Sequence, residues 1–205
     1  MIDQRTDEWH AARLGKVTAS KIADVMASGR AGAPSVTRAN YLAQLLCERL
    51  TGRPTDGYTS HEMQHGIDSE PLAINAYEMH ADVIVTPIGF VDHPSIAMSG
   101  ASPDGLVGDD GLIEVKCPNS ATHLATLKGA DIDGKYMKQM QWQMACTGRK
   151  WCDFVSFDPR MPDHMQLYVR RVERDLEMIA AINSAVTTFL VELEADCQRF
   201  AKEAV

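Results

Sequence analysis

The stretch Ser99-Gly100-Ala101-Ser102-Pro103-Asp104-Gly105-Leu106-Val107-Gly108-Asp109-Asp110-Gly111-Leu112-Ile113-Glu114-Val115-Lys116-Cys117-Pro118 decides how this chain folds. Its second half, Leu112 to Cys117, carries β-branched residues between a glycine turn and a proline, the pattern of a short strand. Residues i and i+2 of a strand share a face. Glu114 and Lys116 therefore point one way, and Ile113, Val115 and Cys117 the other. Gly108-Asp109-Asp110-Gly111 suits a hairpin turn, which makes Leu106-Val107 the first arm. Asp104 sits in the turn Ser102-Pro103-Asp104-Gly105 at the base of that arm, and the hairpin brings it back beside Glu114.

Close carboxylates repel, and desolvating each costs several kcal/mol. A hard divalent cation with oxygen ligands relieves both problems. Mg²⁺ takes one or two carboxylates, waters and substrate phosphate oxygens, and the Val115 backbone carbonyl offers one more oxygen. Lys116 can hold or activate a water, or stabilise charge on a phosphate. These are the parts of metal-assisted phosphodiester hydrolysis. The same residues also fit a plainer reading. Asp-Gly is ordinary turn chemistry, and Glu-x-Lys on a strand can be a solvated ion pair of little energetic weight.

Ser-Pro-Asp-Gly followed by Ile-Glu-Val-Lys-Cys-Pro resembles the PD-(D/E)xK nuclease core, and more narrowly the phage lambda exonuclease or YqaJ-type viral recombinase family. Further pieces resemble that family in its order along most of the chain. They are Gln4-Arg5-Thr6 with Glu8-Trp9-His10, Arg13-Leu14-Gly15, Thr18-Ala19-Ser20, Tyr136-Met137 with Gln139 and Gln141, and Asp158-Pro159-Arg160-Met161.

The resemblance implies a restriction-endonuclease-like α/β (α+β) fold, a mixed central sheet flanked by helices. It implies a Mg²⁺-dependent 5′→3′ double-strand DNA exonuclease of phage or prophage recombination, which releases mononucleotides and leaves a 3′ overhang. Asp104, Glu114 and the Val115 carbonyl would hold two Mg²⁺, with Mn²⁺ as a possible substitute. Glu70 would join through a water, Lys116 would position the attacking water, and Gln139 would stand near the metals. Arg13, Ser20 and Ser102 would hold the terminal 5′-phosphate, and Arg30 would reach into the DNA end. The implied partners are duplex DNA ends, a single-strand annealing protein and two further copies in a homotrimer. A PD-(D/E)xK endonuclease or repair nuclease, or an inactive DNA-end-binding module, remains as an alternative. The chain departs from the lambda enzyme in starting closer to Trp9 and in the stretch from Pro54 to Gly66.

The 205 residues, 45% hydrophobic and 23% charged, suit one domain over 1–205 that buries roughly 70% of its unfolded surface. No signal-peptide pattern and no bilayer-length apolar run stand out. The five cysteines are scattered without a CxxC, which argues against a zinc or iron–sulfur site and for a reducing cytoplasm. The net charge of −8 is uneven: residues 1–53 carry +3 and the remainder −11. DNA binding outside a dedicated groove should therefore be weak.

Elsewhere the pattern predicts a helix after Thr18 or Ser20 as N-cap, and a second from Ser35 to Thr51 with Leu50 on its apolar face. A third should run from His61 to His80, interrupted at Ser69-Glu70-Pro71, which would put Glu70 in a first turn. His61, His65 and His80 read as surface residues rather than ligands. Val83-Ile84-Val85, Ile88 to Val91 and Ile96-Ala97-Met98 look strand-like. Ala121 to Leu127 suits a short helix. Lys135 to Thr147 reads as a helix whose Met137, Met140 and Met144 make the apolar face, with Gln139 and Gln143 elsewhere on it, one turn apart. Trp151 to Phe157 and His164 to Val172 read as strands, and Asp175 caps a long amphipathic final helix.

Overall fold

The computed structural model describes residues 4–29, 35–55 and 61–203. Arg30 lies outside the described residues.

The hairpin forms as the turn chemistry requires. Strands β5 (Gly105–Val107) and β6 (Gly111–Lys116) pair antiparallel, with Val107 opposite Gly111. Gly108 takes the left-handed conformation at φ +52°, which glycine adopts without steric cost. β6 also pairs in parallel with β7 (Trp151–Phe157), which places it at the centre of the sheet. β2 (Val85–Thr86) lies beyond β5 and β8 (Leu167–Glu173) beyond β7, giving a five-stranded order β2-β5-β6-β7-β8. A Cβ on Gly111 would stand 2.1 Å from the Trp151 ring, so this close approach needs glycine.

A smaller sheet joins β1 (Val17–Thr18), β4 (Ser99–Ala101) and β3 (Val91–Asp92) in the order β1-β4-β3. The expected strand at Ile96-Ala97-Met98 does not form. Those residues turn around the His93 ring, whose Nδ1 accepts from the Ser95 and Ile96 N–H groups. Met98 has φ +58°, outside the extended region, and pairing starts at Ser99. Of the Val83-Ile84-Val85 run only Val85 enters a strand, and Ile84 is exposed. The run expected from His164 instead begins with a 3-10 turn at Asp163–Met165.

Seven α-helices flank the sheets among the described residues: α1 (Asp7–Arg13), α2 (Ile22–Val25), α3 (Val36–Thr51), α4 (His61–Ala81), α5 (Ser120–Leu127), α6 (Gly134–Thr147) and α7 (Leu176–Glu203). Ser35 caps α3 through the Arg38 N–H, and Gly52 and Gly148 end α3 and α6 at φ +65° and +75°. Asp175 caps α7 through the Met178 N–H. Neither Thr18 nor Ser20 caps by its side chain. A 3-10 turn, Ala19–Lys21, carries Ser20 into α2, and Thr18 precedes it without a side-chain cap bond. Leu50 is exposed rather than packed.

Helix α4 runs unbroken through Pro71, so Glu70 is a mid-helix residue and not a first-turn one. Pro71 has no N–H for the Ile67 carbonyl. Burial of Ala73 and Tyr77 in the core beneath the sheet offsets that loss.

The two faces of β6 meet different helices. Ile113 and Val115 pack on α4 through Ala73 and Tyr77, while Leu112 packs on Met140 and Met144 of α6. A third core joins α2, α3, α6 and α7 through Ile22, Leu45, Trp142, Ile182, Phe189 and Leu193. Leu176–Ala201 of α7 is long and apolar enough to cross a membrane by composition alone. Its Ile182, Val186, Phe189 and Leu193 are fully buried in that core, as expected of an amphipathic core helix.

Candidate functional site

At the carboxyl end of β6 the hairpin places Asp104 beside Val115. Asp104 Oδ2 accepts the Val115 N–H at 2.6 Å. Pairing between β5 and β6 ends at Gly105 opposite Ile113, and Asp104 fills the edge left open beyond. The N–H and C=O of a strand residue lie on one edge, so the Val115 carbonyl also opens toward Asp104.

Glu114 is 1% exposed. Its Oε1 accepts from Gln139 Nε2 at 2.6 Å and ion-pairs with Lys116 Nζ. Its Oε2 accepts from Gln143 Nε2, also at 2.6 Å. The expected face-sharing of Glu114 and Lys116 is thus a contact. Both glutamines, one turn apart on α6, hold the same carboxylate. For Gln143 the i+4 spacing from Gln139 is the only signal that the sequence carries. Gln141 instead bonds the Glu173 carbonyl and the Asp175 N–H, an α6-to-α7 tie.

Glu70 lines a cavity of about 430 Å³ together with Val115, Lys116, Cys117, Pro118 and Tyr136. Arg5 Nη2 reaches Glu70 Oε2 at 2.5 Å, a pairing across 65 positions that no local pattern announces. His65 is half-buried with Nδ1 3.4 Å from Ser69 Oγ, and His80 is exposed.

Burial first, then repulsion from Glu114 and Glu70, holds the Asp104 carboxyl well above its ordinary pKa, against Lys116 and the Val115 N–H. Burial alone would lower the Lys116 ammonium, but Glu114 and Asp104 outweigh it and hold Lys116 above its ordinary value. Burial, with Glu70 and Asp104 adding to it, pushes the Cys117 thiol up to about 12, which leaves it a poor nucleophile.

No three His, Cys, Asp or Glu side chains among the described residues form a ready metal cluster. The donors at this site are two carboxylates and a backbone carbonyl, with Glu70 drawn to Arg5. This all-oxygen set suits a hard cation that keeps several waters. The upward shift of Asp104 comes from desolvation first and from the charges of Glu114 and Glu70 second, and a bound cation would offset both.

A second feature lies on the amino-terminal side. The Ser102 hydroxyl accepts from Trp9 Nε1 at 2.9 Å and from Arg13 Nη1 at 3.1 Å. The Arg13 guanidinium stacks 4.0 Å over the Trp9 ring, and burial lowers its pKa. Arg13 also lines a cavity of about 180 Å³ with His10, Lys16, Thr18, Ser20 and Lys21. Arg13 therefore bonds Ser102 and shares this cavity with Ser20. Lys16 is paired with Asp92 and Lys21 with Asp24. The acidic neighbour Glu48 is engaged by the Gly15 N–H, Gln44 and Thr55.

A family model for the YqaJ-like viral recombinase domain matches residues 8–150. The chain belongs to that family. Its structure is similar to the crystal structure of an alkaline exonuclease (LHK-Exo) from Laribacter hongkongensis, with a TM-score of 0.90 and 52% identity over 97% of this chain and 98% of that one. The same enzyme solved in complex with dAMP matches equally well. A phage-related exonuclease from Haemophilus somnus 129PT shares the fold, with a TM-score of 0.63 at 18% identity over 88% of this chain and 96% of that one. No curated protein matches. This YqaJ-family chain is a nuclease of recombination with a restriction-endonuclease-like mixed α+β fold. Nucleases of its family use divalent metals.

Proposed function

We propose that residues 1–205 form one nuclease domain that digests duplex DNA from its ends in the 5′→3′ direction with Mg²⁺. It releases mononucleotides and leaves a 3′ single-stranded overhang. The observation that carries this reading is the junction of Asp104, Lys116 and the Val115 backbone around the buried Glu114, standing beside the Arg13–Ser102 cluster. The 52% identical relative supports it, because that exonuclease binds dAMP, a nucleoside monophosphate.

Asp104, Glu114 and the Val115 carbonyl would hold Mg²⁺, two ions per site or Mn²⁺ in their place, with Glu70 joining through a water. Bound there, the metal supplies Lewis-acid stabilisation to the attacking and leaving oxygens of an in-line displacement. Lys116, held charged by its carboxylates, donates hydrogen bonds to the attacking water and to the phosphate. Gln139 and Gln143 fix both oxygens of Glu114, so its carboxylate does not rotate. Ser102 accepts from Trp9 and Arg13 and keeps its own proton to donate. With Arg13 and Ser20 it takes the terminal 5′-phosphate, and Arg30 reaches into the DNA end. In this reading the enzyme works in the cytoplasm of a bacterial host. It is a homotrimer around DNA and hands its overhang to a single-strand annealing protein.

The test is incubation of linear and closed circular duplex DNA with Mg²⁺ or with chelator. Linear DNA should yield mononucleotides only with Mg²⁺, and circular DNA should stay closed. Cutting of the circle would mean an endonuclease, and no product from either would mean an end-binding module.

A further inference from the structure

The segment Asp158-Pro159-Arg160-Met161 belongs to neither the carboxylate junction nor the Arg13 cluster, yet it stands at the edge of the first. β6 and β7 run parallel, and their register ends with Lys116 opposite Ser156. Beyond that point the ladder cannot be extended through Pro118, which has no N–H. A single guanidinium bridges the gap. Arg160 Nε donates to Asp158 Oδ1 at 2.7 Å, and Arg160 Nη2 donates to the Pro118 carbonyl at 3.0 Å. Asp158 is the residue immediately after β7. Pro118 is two residues beyond Lys116 and lines the 430 Å³ cavity.

The anchor of this bridge is rigid. Asp158 is fully buried, and its Oδ1 also accepts the Arg160 backbone N–H at 3.0 Å. Burial would raise its pKa, but the hydrogen bonds from Arg160 to Oδ1 help to outweigh it and bring the value down to about 2. The carboxylate is therefore charged at any working pH. The loop returns through the Asp158 N–H to the Gln166 carbonyl and through Gln166 Nε2 to the Met161 carbonyl. Beneath it the buried His123 ring joins Ser156 Oγ and the Met165 carbonyl, each at 2.8 Å.

We propose that Arg160 is a positioning residue of the nuclease reaction: its planar fork ties the exit of β7 to the exit of β6 and so sets where Lys116 and the Val115 carbonyl stand. The inference rests on the catalytic role of Lys116 and the metal-binding role of Val115 under the proposed function. A planar guanidinium can serve the two acceptors at once, and a lysine ammonium cannot reproduce that geometry. Loss of the fork leaves the chemistry's residues present but loosely held, and a misplacement of about 1 Å can cost on the order of 10²-fold in rate.

The test compares Arg160→Ala with Arg160→Lys on linear 5′-phosphorylated duplex. It reads kcat, KM, melting temperature and hydrogen exchange of the peptide covering 112–118. Both variants should lose about 10- to 100-fold in kcat, with KM unchanged. Exchange at 115–118 should quicken in both, with melting lowered by several degrees in Arg160→Ala, where the buried Asp158 loses its partner, and by less in Arg160→Lys. Recovery of kcat by the lysine, or a loss confined to KM, would make Arg160 a phosphate contact and overturn the inference. A large fall in melting temperature with global loss of protection would make it a scaffold residue and overturn it equally. Lys116→Ala serves as the control. Full activity in that variant would sink the reading of Lys116 itself, whereas unchanged kcat in both Arg160 variants would sink only the positioning role of Arg160.

Discussion

The end of β6 and the Arg13 cluster both gather charge, by opposite means. At β6, a fully buried Glu114 stands beside a half-buried Asp104, and Lys116 with two glutamine amides balances them. At Arg13, a cation stacks on Trp9 beside a shallow cavity whose other cations already have carboxylate partners. The first region is electrostatically crowded and held by a central strand. The second hangs on a short helix and a 3-10 turn. Under the proposed function the contrast is a division of labour: crowded, repelling carboxylates would take a metal, while the cationic cluster would take a phosphate. This also answers the net charge of −8, because neither region needs a positive field over the whole protein.

The largest effect should come from the crowded region. Lys116→Ala is expected to lower nucleotide release by at least about 10²- to 10³-fold, the scale of losing one preorganised donor. Binding to duplex ends, measured by fluorescence anisotropy, should persist because the Arg13 cluster is untouched. Loss of end binding in this variant would mean the two regions are not separable.

A smaller effect of opposite sign sharpens the same contrast. Asp104→Asn removes a half-buried charge that neighbours repel and keeps an oxygen to accept the Val115 N–H. The Asp104 carboxyl is held above its ordinary pKa in the folded protein, so its charge opposes folding at neutral pH, and the metal-free variant should melt a few degrees higher while losing Mg²⁺ affinity and activity. Calorimetry showing a lower melting temperature would mean that the charged hydrogen bond to Val115 outweighs the repulsion.

How much of this was legible in the sequence follows from the range of the interactions. The hairpin, the shared face of Glu114 and Lys116, the helix start at Ser35 and the cap at Asp175 depend on residues within a few positions, and local pattern reveals them. The unbroken α4 was not legible. Pro71 is a local stop signal, and only the burial of Ala73 and Tyr77 against the sheet overrides it. Ile96 to Met98 are apolar enough for a strand, but the His93 ring captures their backbone instead. The Arg5–Glu70 pair and the Arg160–Pro118 bridge join residues 65 and 42 positions apart. Sequence periodicity carries no trace of such contacts. Only family resemblance couples Arg13 to Ser102 in the sequence, and the structure supplies the physical link through Trp9.

The central claim, that end selection resides in the Arg13 cluster and chemistry at β6, is tested most directly by a two-by-two rate comparison. Wild type and Arg13→Ala are given end-labelled duplexes bearing a 5′-phosphate or a 5′-hydroxyl, with Mg²⁺. Wild type should release nucleotides from the 5′ end and prefer the phosphate. A charge-assisted hydrogen bond is worth about 1.5–3 kcal/mol, so Arg13→Ala should slow the phosphorylated duplex roughly 10- to 100-fold. The slower 5′-hydroxyl duplex should barely change. Equal losses on both ends, or release from the 3′ end, would contradict the account.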